Sequence, residues 1–402
     1  MTDVTAKSHS LDSAGARSAP RAPIVHLDAP ANGIVSSPAT IISGWIAVEG
    51  ATPLERVSLV DSRGVHVPLG LVDRQDVRKA VPGMTSTGFT GWLDLRAAAA
   101  SPWNIRYLRD GRSSDVELPL LIDSSEAPRF TRIKKRKLID LRNLLRCPYC
   151  HGVLTDDAGP VLRCESQHVF RLGNDAFDFL DADLRERVGA VPTENLSAHG
   201  YDATLIEMID QSTGPVLDVG AGLRPSYRED VINLDIVAYP TTDVIAASEY
   251  LPFADDSFDL VISVAVLEHV RDPFTAAREL MRILKPRGRI FAAVPFLQPY
   301  HAYPDHYYNM TSGGLRNIFR DLDVERLYVP QSGGPIFALT WMLQLWRNAL
   351  PPESAAAFEN MRVADLAVDP MQLVNMPFVT DVSEQANVKL AALNVLIGRK
   401  PG

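Results

Sequence analysis

The stretch PVLDVGAGLRPS, residues 215–226, is a short apolar run that meets a glycine turn. Pro215 to Val219 has the texture of a strand buried on both faces, and a helix is expected after the turn. Gly220 and Gly222 let the backbone turn sharply and approach a ligand that a Cβ would exclude. A dinucleotide cradle needs a third glycine where Pro225 stands, and Asp218 directly ahead of the glycines would oppose bound phosphates. An acid beside glycines suits a ligand carrying an ammonium group and a sulfonium instead.

Outward from this turn, from about Ser197, the chain alternates buried strands with amphipathic helices: VINLDI, SFDLVISVAVLEHV, TAARELMRIL and GRIFAAVPF follow one another. That alternation implies a largely parallel sheet covered on both faces. Taken in order over roughly 197–322, the segments resemble the class I S-adenosylmethionine-dependent methyltransferases with a type 11-like domain. The resemblance implies an α/β, Rossmann-like, doubly wound domain over 197–402 and S-adenosylmethionine as cofactor. It places Asp218, Gly220 and Gly222 in the first motif and Asp235 on the ribose hydroxyls. Ser248 and Glu249 fall near the adenine, and Ser263 lies on the fourth strand. Two positions depart from the family pattern: Arg224 replaces a third glycine, and Ala247 stands where an Asp commonly accepts from the adenine amine.

A sulfonium methyl is already activated, so the protein must align a nucleophile and, for a hydroxyl or protonated amine, remove a proton. In LEHV, Glu268 and His269 lie at the carboxyl edge of the sheet, either in that chemistry or as a brace for the next helix. The second source is PFLQPYHAYPDHYYNMT, residues 295–311, where two histidines, an aspartate and four tyrosines are interrupted by Pro299 and Pro304. It reads as a loop over the substrate, with His301 or His306 as base, Asp305 orienting it, and Tyr300, Tyr307 or Tyr308 as wall. A hydrogen-bonded structural loop and a His–carboxylate metal site are the alternatives. The segment resembles one seen after the fifth strand in methyltransferases of bacterial surface-sugar pathways.

All three cysteines lie in LLRCPYCHGVLTDDAGPVLRCESQHVF, residues 144–170. Cys147 and Cys150, then Cys164 and His168, form a Cys-x2-Cys, Cys-x3-His set that suits a tetrahedral zinc, with a redox pair or a lapsed site as the other readings. The segment, assigned 144–182, resembles small zinc ribbons ahead of methyltransferase domains, and its second half is similar to that of ribosomal-RNA guanine-N1 methyltransferases. Four protein ligands leave no open position, so the zinc is expected to be structural.

The rest of the chain sets bounds. Residues 1–24 read as a disordered arm rich in Ser, Ala and Pro, and 25–125 as a β-sandwich-like accessory domain. Trp45, Phe89 and Trp92 are core aromatics there, or a sugar-binding face. Residues 126–143 read as a basic, solvated linker and short helix, with nucleic-acid contact as the alternative. IFALTWMLQLWRNAL is an apolar helix whose two tryptophans suit core packing, and NVKLAALNVLIGRKP an alternating last strand. No apolar run approaches the roughly 20 residues that span a bilayer, and with few cysteines the expected place is the cytoplasm. A net charge of −9 argues against gripping phosphate backbones. The leading functional expectation is methyl transfer to a hydroxyl or amine of a small-molecule or glycan acceptor, in surface-polysaccharide assembly. An RNA guanine methyltransferase and a cofactor-dead scaffold are the alternatives.

Overall fold

The structure, a computed structural model, describes residues 21–96, 102–157, 161–173, 175–190, 200–301 and 303–400. The expected arm lies almost wholly outside the described residues. The chain divides into two compact units, one of residues 1–36 and 40–124, the other of 37–39 and 125–402.

The first unit is the β-rich one. Its strands run side by side in the order Ile24–Ala29, Ala39–Glu49, Met84–Asp94, His66–Val72, Arg56–Asp61, Trp103–Arg109 and Arg112–Leu118. Phe89, Leu93 and Trp103 are buried in its core, while Trp45 and Trp92 are half-buried and Trp45 stacks on His26.

The second unit is built on a nine-stranded sheet. Its five parallel strands lie in the order Val244–Ile245, Val231–Asp235, Val216–Val219, Phe258–Val264, Leu284–Ala293. Alternate residues serve opposite faces. Val216, Val231, Leu260 and Ile262 pack under the helix Ala203–Gln211, whereas Leu217, Val219, Leu234 and Val261 join the main core with Leu280 of the helix Pro273–Arg282. The edge strand carries a register shift: Leu284 faces Phe258, yet Arg289 already faces Leu260, with Arg287 at φ 67° in between.

The cysteine segment continues this sheet. Leu154–Asp157, Val161–Cys164 and Val169–Leu172 form an antiparallel run that joins Phe177–Asp178, and this strand pairs in parallel with Val244–Ile245. Cys147, Cys164 and Phe170 share the main core with Leu217 and Phe253.

Four expectations change. No helix follows the glycine turn; residues 220–230 run irregularly to Val231, with Pro225 and a span shorter than the dozen or so residues a helical crossover takes. The basic stretch, expected to be solvated, is the helix Ala127–Leu141, with Phe130, Lys134, Lys137 and Leu141 buried. Lys134 and Lys137 are 2% and 6% exposed: Lys134 Nζ donates to the carbonyls of Pro240 and Thr242 at 2.6 Å, and Lys137 Nζ donates to Asp243 Oδ2 at 2.7 Å. The expected last strand is instead the helix Glu384–Leu390 and an irregular tail, with Leu396 and Ile397 91% and 95% exposed. The apolar helix Pro335–Asn348 divides its tryptophans: Trp346 packs with Phe358 and Phe378, while Trp341 does not enter that cluster. Among the described residues no helix is long and apolar enough to cross a membrane.

Candidate active site

A cavity of 510 Å³ opens at the carboxyl ends of the parallel strands, the edge where ligands of open α/β sheets lie. Its lining joins Gly220, Asp235, Ile236, Ala247, Ser248 and Glu249 with Val266, His269, His301, Tyr303, Pro304 and Trp341.

Gly220 and Gly222 have φ of 67° and 63°, the left-handed region that glycine enters without strain. A Cβ on Gly220 would stand 2.3 Å from Val266 Cγ2, so the turn is packed against the strand end. Asp235 fixes the turn's outlet, since its Oδ2 accepts from the Gly222 N–H at 2.8 Å and its Oδ1 from the Val237 N–H at 2.9 Å. Burial pushes its carboxyl up to about 6 despite these bonds. Ser248 Oγ donates to Glu249 Oε2 at 3.3 Å, and burial raises the Glu249 carboxyl as well.

Asp218, Gly222 and Ser263 do not line the cavity. Asp218 is fully buried, and its Oδ2 accepts from Arg224 Nε at 2.9 Å and from Tyr201 Oη at 2.6 Å. Arg224 in turn lies 4.3 Å over the Tyr201 ring. The Arg224 side chain is thus folded back as a clamp on Asp218. Ser263 is buried within its strand.

The His-rich loop is pinned by main chain: the N–H groups of Tyr307 and Tyr308 donate to the Glu268 carbonyl at 2.7 and 3.2 Å. His269 Nδ1 donates to the Asp305 carbonyl at 2.6 Å, and His301 Nδ1 donates to the Pro299 carbonyl at 2.9 Å. A carbonyl can only accept, so in both neutral rings Nε2 carries the lone pair. His306 is committed at both nitrogens, accepting from the His301 N–H at Nδ1 and donating from Nε2 to Asn309 Oδ1 at 3.2 Å. Its ring does not line the cavity, whereas the His301 ring does. The Asp305 carboxylate orients neither imidazole directly; its Oδ1 accepts from Tyr300 Oη and the His306 N–H, both at 2.7 Å. Burial lowers His269 and pushes the Glu268 carboxyl up to about 8.

Trp341, 5.1 Å from the His301 ring, is the wall residue that the sequence reading missed. The signal was present: residues five apart on a helix point roughly 140° from each other, so Trp341 and Trp346 were not both bound for one core.

In the cysteine segment, Cys147, Cys150, Cys164 and His168 bring their ligand atoms together. Two matching turns do this. The His151 N–H donates to the Cys147 carbonyl at 2.8 Å and the Gln167 N–H to the Cys164 carbonyl at 2.9 Å, with His151 and Gln167 both at positive φ. Cys150 and Cys164 sulfurs are 3.7 Å apart, and His168 Nδ1 is 3.4 and 3.3 Å from the sulfurs of Cys147 and Cys164. Zinc bonds of about 2.3 Å to sulfur and 2.0 Å to nitrogen give tetrahedral edges of about 3.8 and 3.5 Å, so the set fits the ion. Gln167 accepts from Arg163 instead.

Residues 217–292 match the family described as Methyltransferase domain. The chain is 35% identical over 106 residues to the ubiquinone/menaquinone biosynthesis C-methyltransferase UbiE of Pseudoalteromonas translucida, covering 26% of this chain and 41% of that protein. It is 34% identical over 102 residues to an uncharacterized methyltransferase of Mycobacterium avium, covering 23% and 40%. It is 29% identical over 137 residues to the uncharacterized protein YafE of Escherichia coli, covering 34% and 63%. The chain thus spans less than two thirds of the length of each of these relatives. The glycine turn braced by Asp235 and most of the parallel strands thus fall in the stretch, residues 217–292, that matches a methyltransferase domain.

Proposed function

We propose that the chain transfers a methyl group from S-adenosylmethionine to a hydroxyl or amine of a small-molecule or glycan acceptor, in surface-polysaccharide assembly. The observation that supports this most is one cavity whose lining brings Gly220, Asp235, Ser248 and Glu249 together with His269 and His301. At one end Gly220, Asp235, Ser248 and Glu249 would hold the donor, which supplies an activated methyl. The other end offers the Nε2 lone pairs of His269 and His301 to the acceptor's proton, with Trp341 and Tyr303 as apolar wall. In this reading His301 is the base, His306 and Asp305 shape the loop, and Asp218 positions the glycine turn through Arg224. The Cys3His cluster holds a structural zinc, and the N-terminal β unit serves as an accessory domain.

The RNA alternative loses ground, because Lys134 and Lys137 of the basic stretch are buried and bonded within the second unit.

Calorimetry with S-adenosylmethionine, followed by transfer of labelled methyl to sugar and glycan acceptors, tests the proposal. The expected result is micromolar donor binding, with His301→Ala lowering turnover by about 10²-fold or more while donor affinity stays within twofold. No donor binding at millimolar concentration would sink it.

A further inference from the structure

At the acceptor end of the cavity two imidazoles and a buried carboxyl converge, each able to turn an electron pair toward a shared ion. The ligand atoms of Glu268, His269 and His301 all lie within 4.8 Å of one another. Glu268 is 0% exposed, and among the described residues neither of its carboxylate oxygens has a hydrogen-bond partner. Its nearer oxygen is 3.9 Å from His269 Nε2, too far for a hydrogen bond. Both imidazoles have their Nδ1–H groups donated to backbone carbonyls, which leaves Nε2 as the nitrogen that carries the lone pair. A buried carboxylate left without donors is costly, and three acceptors placed together call for a cation among them.

The donor set identifies the cation by chemistry. Two imidazole nitrogens and one carboxylate suit a first-row divalent metal such as zinc or iron(II), and leave coordination positions open. Metal-binding histidines commonly donate their second nitrogen's proton to a carbonyl or carboxylate, which fixes ring and tautomer, and His269 and His301 show that arrangement. Metal bonds of about 2.1 Å span ligand pairs up to about 4.2 Å apart, and the His269–Glu268 separation falls inside this limit. The two histidines also line the cavity, so the open positions face it.

We infer that Glu268, His269 and His301 form a second, open metal site that binds a first-row divalent cation at the acceptor end of the cavity, where it would hold an oxygen of the acceptor. Unlike the Cys3His cluster, whose four ligands close the shell, this site has room for a substrate. The inference concerns metal binding and stands apart from methyl transfer; if both hold, the two imidazoles serve the acceptor through the ion.

The test is metal content of the full chain after loading with Zn²⁺ and gel filtration. Removal of the Cys3His site by Cys150→Ser and Cys164→Ser should leave one equivalent per chain. That equivalent should fall below a tenth in the same background carrying His269→Ala, His301→Ala or Glu268→Gln. Cobalt loading of the chain with its cysteines intact guards against misfolding. Retention of the thiolate-to-cobalt band in His301→Ala shows a folded chain, while the weaker bands of a nitrogen- and oxygen-bound cobalt should vanish. No metal beyond the Cys3His equivalent, or an equivalent that survives all three substitutions, overturns the inference. Because donor binding and turnover are not read, that outcome leaves the methyl-transfer proposal standing.

Discussion

Asp235 is oriented before any ligand arrives, since each of its oxygens already accepts one backbone N–H and keeps a lone pair for a ligand. Its folded pKa is raised by burial from 3.8 to about 6. The native chain therefore holds a proton that the unfolded chain releases, and this contribution to stability is complete below pH 3.8 and lost as pH rises through 6. Chemical denaturation between pH 4 and 7 should show that falling slope in the wild type and not in Asp235→Asn. The same variant should bind S-adenosylmethionine about tenfold more weakly, the loss expected when one hydrogen bond to a charged group, about 1.5 kcal/mol, is removed. Gly220 is constrained twice, by φ and by Val266. Gly220→Ala should cost about 2 kcal/mol or more in a urea melt and abolish donor binding, whereas tight binding by this variant would separate the donor from the turn.

The helix Ala127–Leu141 shows how a run of charge can be core. Lys137→Ala strands Asp243, whose remaining partners are the Asn233 N–H, the Tyr227 hydroxyl and Lys134. A loss of about 3 kcal/mol is expected, against less than about 0.5 kcal/mol for exposed Lys135→Ala, both read from urea midpoints. Equal effects would return the helix to the role of a linker. The contrast also says what a sequence can carry. The glycine turn and the Cys-x2-Cys, Cys-x3-His set were legible because their chemistry is local: a few adjacent residues must make a turn, whatever lies around them. The fates of Lys134, Arg224 and Trp341 were not, because each is decided by a partner far along the chain or off its own element: Pro240 and Thr242, Asp218, and His301. A helix was expected after the glycines from the usual alternation, but residues 220–230 run irregularly to Val231.

At the scale of the second unit, the cysteine segment and the parallel strands are one sheet and share one core. Removing metal from the Cys3His cluster should therefore not melt a ribbon in isolation. Calorimetry of the chelator-treated chain should show a single transition of this unit displaced downward by several degrees, because metal-binding free energy is folding free energy here. A separate low-temperature transition would show that the ribbon strands fold on their own. Phe179 donates to the Ile245 carbonyl, two residues from the cavity wall at Ala247, so the loss of metal should reach the donor end after it reaches stability. The sheet's opposite border has a different consequence. Between Leu284 and Arg289 the last strand swells out of register, and Lys285, Arg287 and Arg289 stand on or beside the swelling. An approaching strand from another molecule would meet a kinked rim of charged side chains, Lys285 and Arg289 paired with Asp259 and Glu325, instead of a flat row of amide groups, so this end of the sheet resists being used as a template for aggregation.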